Sequence, residues 1–155
     1  MRKLLSGLGD FEMKKPKYLY HGSGKKLKTL SPLKPDDTDP VHNKKGVYTT
    51  SSKKDALGFC AIRSAKTNCF RCRNTGMMNV VEGWPDLTKT VYLHILDSKD
   101  FEHNKGTEWI CPHKVKPIKI VEYKVSDLQH LWRKSSKREM KEYLKDRDAW
   151  RAPED

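Results

Sequence analysis

Gly46-Val47-Tyr48-Thr49-Thr50-Ser51-Ser52-Lys53-Lys54-Asp55-Ala56-Leu57-Gly58-Phe59-Cys60 changes its structural signal midway. Residues 47–50 are β-branched or aromatic and predict a strand. Ser51 or Ser52 then caps a helix. Ser52-Lys53-Lys54-Asp55 approximates a capping box, and the acid suits the positive end of a helix dipole. Ala56, Phe59, Cys60 and Ile62 or Arg63 fall at helical spacing and predict its apolar face. Upstream, Tyr18-Leu19-Tyr20-His21 is a short aromatic strand stopped by Gly22-Ser23-Gly24. Downstream, residues 89–97 (KTVYLHILD) alternate as a strand, and residues 108–111 and 118–125 predict two more. Residues 69–86, with Gly76, Gly83 and Pro85, read as a long surface loop. Ser126-Asp127 would cap a helical stretch in which Leu128, Leu131 and Trp132 share a face. A second box, Ser136-Lys137-Arg138-Glu139, precedes Met140, Tyr143 and Leu144 at matching spacing. Short strands, one inserted helix and a helical C-terminus indicate an α+β domain.

Three segments are expected: a basic N-terminal arm at 1–17, a single domain with its helical tail at 18–148, and a frayed end at 149–155. Within the domain, residues 25–45 carry Pro32, Pro35 and Pro40 with Asp36, Asp37 and Asp39, which predicts an extended loop. The 155 residues are 35% hydrophobic, about 54 apolar residues, enough for one modest core. Mean hydropathy is −0.86, and no apolar run approaches the ~20 residues that span a bilayer. Met1 to Leu5 has a signal peptide's charge, but Ser6, Gly7, Gly9 and Asp10 follow at once. The expectation is therefore neither an integral membrane protein, nor a secreted precursor, nor a large multidomain enzyme.

The cysteines are Cys60, Cys69, Cys72 and Cys111. Cys69-Phe70-Arg71-Cys72 has the spacing of half a zinc site or a redox pair, but its partner would be Cys111-Pro112-His113, a poor second pair. A lone CxxC is a weak signal, and the plainer expectation is reduced thiols, some buried as small hydrophobes.

Tyr20-His21-Gly22-Ser23, Gly46-Val47-Tyr48 with Asp55-Ala56-Leu57-Gly58-Phe59, and Thr107-Glu108-Trp109-Ile110 stand out as a set. Together they resemble the ADP-ribosyltransferase superfamily, in the branch of poly(ADP-ribose) polymerases and diphtheria toxin. In that branch His-Gly-Ser/Thr ends one strand and Gly-Ile/Val-Tyr starts another. A helix with Ser-Ala and a second aromatic follows, and Glu-Tyr/Trp-Ile sits on a third strand. The resemblance covers residues 20–125 in short islands. It implies a split β-sheet core with an inserted helix and NAD as co-substrate without a metal. It implies Glu108, His21 and Tyr48 as catalytic residues, and His21, Gly22, Ser23, Tyr48 and Phe59 as the NAD-binding set. Nicotinamide would lie between Tyr48 and Phe59, with the Gly22 backbone at its carboxamide and His21 and Ser23 at the adenosine-side ribose. The chain departs from the pattern at Asp55, where the family has a serine before the alanine, and residues 28–45 stand where the family's donor loop lies. Transfer of a single ADP-ribose to a protein or nucleic-acid acceptor, by a monomer in the cytoplasm (the host's, for a phage or toxin protein), is the expected activity.

The chemistry suits those residue types. Breaking the nicotinamide–ribose bond develops positive charge at the ribose carbon, which a fixed carboxylate stabilises. Glu108 is the candidate, with Glu102 and Glu122 as competitors. Each residue also has an ordinary explanation: His21 as a strand-end histidine, Tyr48 and Phe59 as core aromatics, and Gly22 as a turn former. Thirty-two bases against 20 acids, a net charge of +12, leave a non-catalytic nucleic-acid-binding module as a second class. Basic stretches at 14–17, 25–28, 63–73, 114–119 and 133–145 lie beside Phe70, Trp109, Trp132, Tyr143 and Trp150. An NAD glycohydrolase, with water as acceptor, and a small zinc-stapled domain complete the alternatives.

Overall fold

The structure, a computed structural model, describes residues 14–34, 44–72 and 75–151, the side chains of 147–151 excepted. Most of the expected arm (1–13), part of the expected loop (35–43) and the end of the chain (152–155) lie outside the described residues. Nine strands and two α-helices follow one another among the described residues: β1 (Tyr18–Ser23), β2 (Val47–Thr50), α1 (Lys53–Ile62), β3 (Asn68–Arg71), β4 (Met78–Glu82), β5 (Thr90–Asp97), β6 (Glu102–Lys105), β7 (Glu108–Cys111), β8 (Lys119–Lys124), a 3-10 helix (Val125–Leu131), β9 (Trp132–Lys134) and α2 (Lys137–Arg151). The α+β class stands. Six strands form an antiparallel sheet in the order β6-β7-β2-β1-β5-β8. A second sheet, β3-β4-β9, pairs β4 with β9 in parallel. No helix among the described residues is long and apolar enough to cross a membrane.

Alternation along the large sheet builds two cores. Val91 and Leu93 of β5 meet Ala56, Leu57, Cys60 and Ala61 of α1, with Met78, Val80, Leu128, Leu131 and Trp132 closing over the helix. The opposite face packs Leu19, Val47, Leu96, Trp109 and Cys111 around Phe101 and Leu30. A bridge from Leu30 to Val115, with hydrogen bonds of 2.8 and 3.0 Å, straps the second core.

Both helix starts follow the sequence. The Ser52 hydroxyl accepts from the Asp55 N–H at 3.1 Å, but the Asp55 carboxylate turns away to Arg71 Nε at 3.0 Å, so the first box is half made. At α2 the Ser136 hydroxyl accepts from the Glu139 N–H at 3.1 Å, while the Glu139 carboxylate accepts from the Ser136 N–H at 3.4 Å. Three expectations are corrected. Residues 69–86 are chiefly a β3–β4 hairpin, with Gly76 and Gly83 at positive φ flanking its second strand. Trp132 begins β9 instead of ending a helix. Phe59 stays 38% exposed, because the buried face of α1 is made by Ala56, Leu57, Cys60, Ala61 and Ile62 and leaves Phe59 on the flank.

Candidate functional site

His21, Tyr48 and Glu108 lie on β1, β2 and β7, three neighbouring strands at the middle of the large sheet. Register decides which of them meet. Thr50 stands opposite both Tyr20 and Glu108, and Tyr48 opposite Ile110. Directly paired residues share a face, so Tyr48, Thr50, Glu108 and Ile110 point to the α1 side. All four are half-buried, since α1 covers β1 and β5 more fully than β2 and β7. Tyr48 and Glu108 are diagonal neighbours there, about 7–8 Å apart in such a ladder. The Asn104 amide, from β6, donates to Glu108 Oε2 at 2.5 Å and orients the carboxylate. Of the competing acids, Glu102 is exposed on the edge strand β6, and Glu122 on β8 is separated from β2 by β1 and β5. Among the three acids, Glu108 alone sits beside Tyr48.

His21 belongs to the other face. It stands opposite the wholly buried His94, their rings 5.9 Å apart edge to face, alongside Leu19 and Leu96. The β1–β2 pairing is limited to Tyr20 and Thr50, and beyond it the His21 ring occupies the gap, its Nδ1–H donating to the Tyr48 carbonyl at 2.8 Å. That bond fixes the tautomer and leaves Nε2 as the acceptor. His94 Nε2 in turn accepts the Leu27 N–H at 2.9 Å, so its Nδ1–H donates to the His21 carbonyl at 3.1 Å. Burial lowers the pKa of both rings, His21 further through the nearby Arg63 charge and His94 through His21. Both histidines are therefore neutral donors locked by their partners. His94 carries no sequence motif, and its role is visible only through the β1–β5 pairing.

The remaining expected residues divide. Gly22 faces α1, where a Cβ would lie 2.4 Å from the Ala56 carbonyl oxygen and 2.8 Å from Cys60 Cβ. The glycine is needed there for helix packing. The Ser23 hydroxyl accepts from the Lys25 N–H at 3.1 Å and closes the turn after β1. Phe59 lies on the flank of α1 with the Arg63 guanidinium 5.9 Å from its ring centroid. The Tyr48 hydroxyl donates to the Lys44 carbonyl.

Burial pushes the Cys60 thiol up to about 11. Cys60 packs on the α1 face and Cys111 on the opposite one, so the four cysteines do not assemble, and no metal-binding group of three or more His, Cys, Asp or Glu side chains is found among the described residues. Phe70 is stacked on Tyr143 at 4.7 Å, and Trp109 and Trp132 are buried. Phe70, Trp109 and Trp132 of the basic stretches therefore serve packing, Tyr143 is half-buried, and the Trp150 side chain lies outside the described residues. A cleft of about 340 Å³, lined by Leu96, Lys99, Phe101, His113, Lys114 and Lys116 among others, contains none of the expected site residues. No family model, no curated protein and no solved structure matches the chain.

Proposed function

We propose that the chain is an NAD-dependent mono-ADP-ribosyltransferase with an ADP-ribosyltransferase-like split sheet. The observation that carries this reading is the order β7-β2-β1, which makes neighbours of the strands bearing Glu108, Tyr48 and His21. The half-open face over β2 and β7 would receive the nicotinamide end of NAD, with the Tyr48 ring as one wall and Phe59 at the rim. The N-glycosidic bond breaks with its electron pair leaving on nicotinamide, and Glu108 faces the positive charge left on the ribose. An acceptor hydroxyl, amine or carboxylate, on protein or nucleic acid, then attacks that carbon and gives up any proton it carries. In this reading His21 supports the site from the split between β1 and β2, holding the Tyr48 backbone through its carbonyl. No metal takes part.

Nicotinamide release from NAD tests the proposal. Wild type is expected to release it, and Glu108→Gln to lose at least 100-fold, the scale on which removal of one preorganised electrostatic group acts. Unmodified acceptors with accumulating free ADP-ribose would reassign the activity to NAD hydrolysis.

A second reading, a non-catalytic basic binding module, draws support from the placement of His21 on the sheet face opposite the Tyr48 and Glu108 side chains and from the separate cleft. It predicts no thermal stabilisation by NAD. Saturable stabilisation that Tyr48→Ala removes would contradict it.

A further inference from the structure

Two lysine-bearing segments, 84 residues apart where Lys15 reaches Lys99, meet beside the cleft of about 340 Å³. At the start of β1, the Lys15 ammonium donates to the Lys99 carbonyl at 3.0 Å, and the Lys17 carbonyl accepts from the Ser98 N–H at 3.1 Å. The arm's last residues are thus laid along the Ser98–Lys99 turn. The cleft itself is lined by Lys99, Lys114 and Lys116 over a floor of Leu96, Phe101 and Val115. Lys15, Lys17, Lys99, Lys114 and Lys116 are all exposed. Two carboxylates accompany them, and both are engaged locally: Asp97 Oδ1 accepts the Lys99 N–H at 2.8 Å, and Asp100 Oδ2 lies 3.8 Å from His113 Nε2. Tyr18, 39% exposed with the Lys17 ammonium 5.3 Å from its ring centroid, falls by alternation on the α1 face of β1 and does not line the cleft.

We infer that this cleft and its lysines form a binding surface for the phosphodiester backbone of single-stranded nucleic acid. The chemistry selects that partner. Apart from His113, every basic side chain lining the cleft is a lysine, a compact flexible point charge that suits phosphates at variable spacing. Planar, bidentate recognition of protein carboxylates would call for arginine. The cleft is at the small end of ligand-pocket size, too small for a duplex groove and adequate for a nucleotide unit. The cleft lies on the His21 side of the sheet, over Leu96 and Phe101 of the second core. It stands independently of the transferase reading, because binding needs no NAD.

Fluorescence anisotropy with a labelled oligothymidylate and a matching RNA, titrated without NAD at several KCl concentrations, tests the surface. With three to five phosphates neutralised, the log–log salt slope is expected near −2 to −3.5. Lys99→Gln/Lys114→Gln/Lys116→Gln should weaken binding at least tenfold and make the slope shallower. Lys53→Gln/Lys54→Gln/Lys137→Gln, with the same loss of charge elsewhere, should change it less than threefold. Tyr18→Ala, on the opposite face of the sheet, should change binding less than threefold and serves as a second control. Absence of binding by wild type, equal loss in the two triple variants, or tighter binding to a polyglutamate peptide than to either oligonucleotide would overturn the inference. Circular dichroism melts of each variant separate lost binding from lost folding.

Discussion

Replacing Gly22 by alanine tests how closely α1 is seated on the large sheet. The added Cβ would lie 2.4 Å from the Ala56 carbonyl oxygen, 2.8 Å from Cys60 Cβ and 2.9 Å from Cys60 Sγ. Ordinary contact begins near 3.4 Å, so helix and strand must part by about 1 Å at that point. The displaced helix carries Ala56, Cys60 and Ala61, each no more than 4% exposed, so the loss spreads through the first core. Overpacking of this kind costs about 1–3 kcal/mol. A backbone oxygen as the nearest obstacle puts Gly22→Ala in the upper half of that range. At about 2–4 °C per kcal/mol for a chain of this size, Tm should fall by roughly 4–12 °C. Thermal unfolding followed by circular dichroism measures it. The double variant Gly22→Ala/Cys60→Ala removes only the thiol obstacle, so it should regain little. An unchanged Tm for Gly22→Ala, or full recovery in the double variant, would refute this packing account.

The histidine pair makes stability depend on pH in a defined direction. Both rings have lowered pKa values in the folded protein, so the unfolded chain takes up protons first as pH falls below about 6.5. Stability should be greatest above 6.5 and decline from there towards pH 5, and His94→Gln should flatten that decline in a urea-midpoint series. An identical pH dependence in the variant would show that His94 is not responsible. Phe70→Ala should loosen α2 by removing the ring stacked on Tyr143, at a cost of about 3 kcal/mol or more for a buried aromatic. Faster proteolysis confined to the C-terminal helix at modest protease concentration checks the location, and cleavage elsewhere first would contradict it.

Much of the large sheet could be read from the chain because its strands announce themselves locally. Val47-Tyr48-Thr49-Thr50 and Thr90 to Asp97 are β-branched, aromatic and alternating, and Ser52 and Ser136 mark both helix starts. The β3–β4 hairpin was obscured because Met78, Asn79 and Val80 are all buried, which removes the alternation, while the neighbouring glycines mimic a loop. Trp132 joins β4 through a parallel pairing across more than 50 residues, a relation no local pattern carries. Phe59 falls at helical spacing with Ala56 and Cys60, yet the buried face of α1 is centred on Leu57, Cys60 and Ala61 and leaves Phe59 on the flank.

At the site, residue types were legible and their facing was not. Tyr48 and Glu108 share a face only because Thr50 pairs with Glu108, and His21 is turned away only because Tyr20 pairs with Thr50. A one-residue change in either register would reverse these relations. The roles of Asn104 beside Glu108 and of His94 beneath His21 likewise arise from pairing.

We propose that Glu108, set diagonally to Tyr48, stabilises the charge formed as NAD loses nicotinamide. The most direct test is the rate of nicotinamide release by wild type and by Glu108→Gln at matched Tm, with lysate protein and total nucleic acid supplied as acceptors. Release by wild type and a loss of at least 100-fold in the variant are expected. Equal release by the two proteins, or none by either, would contradict the proposal.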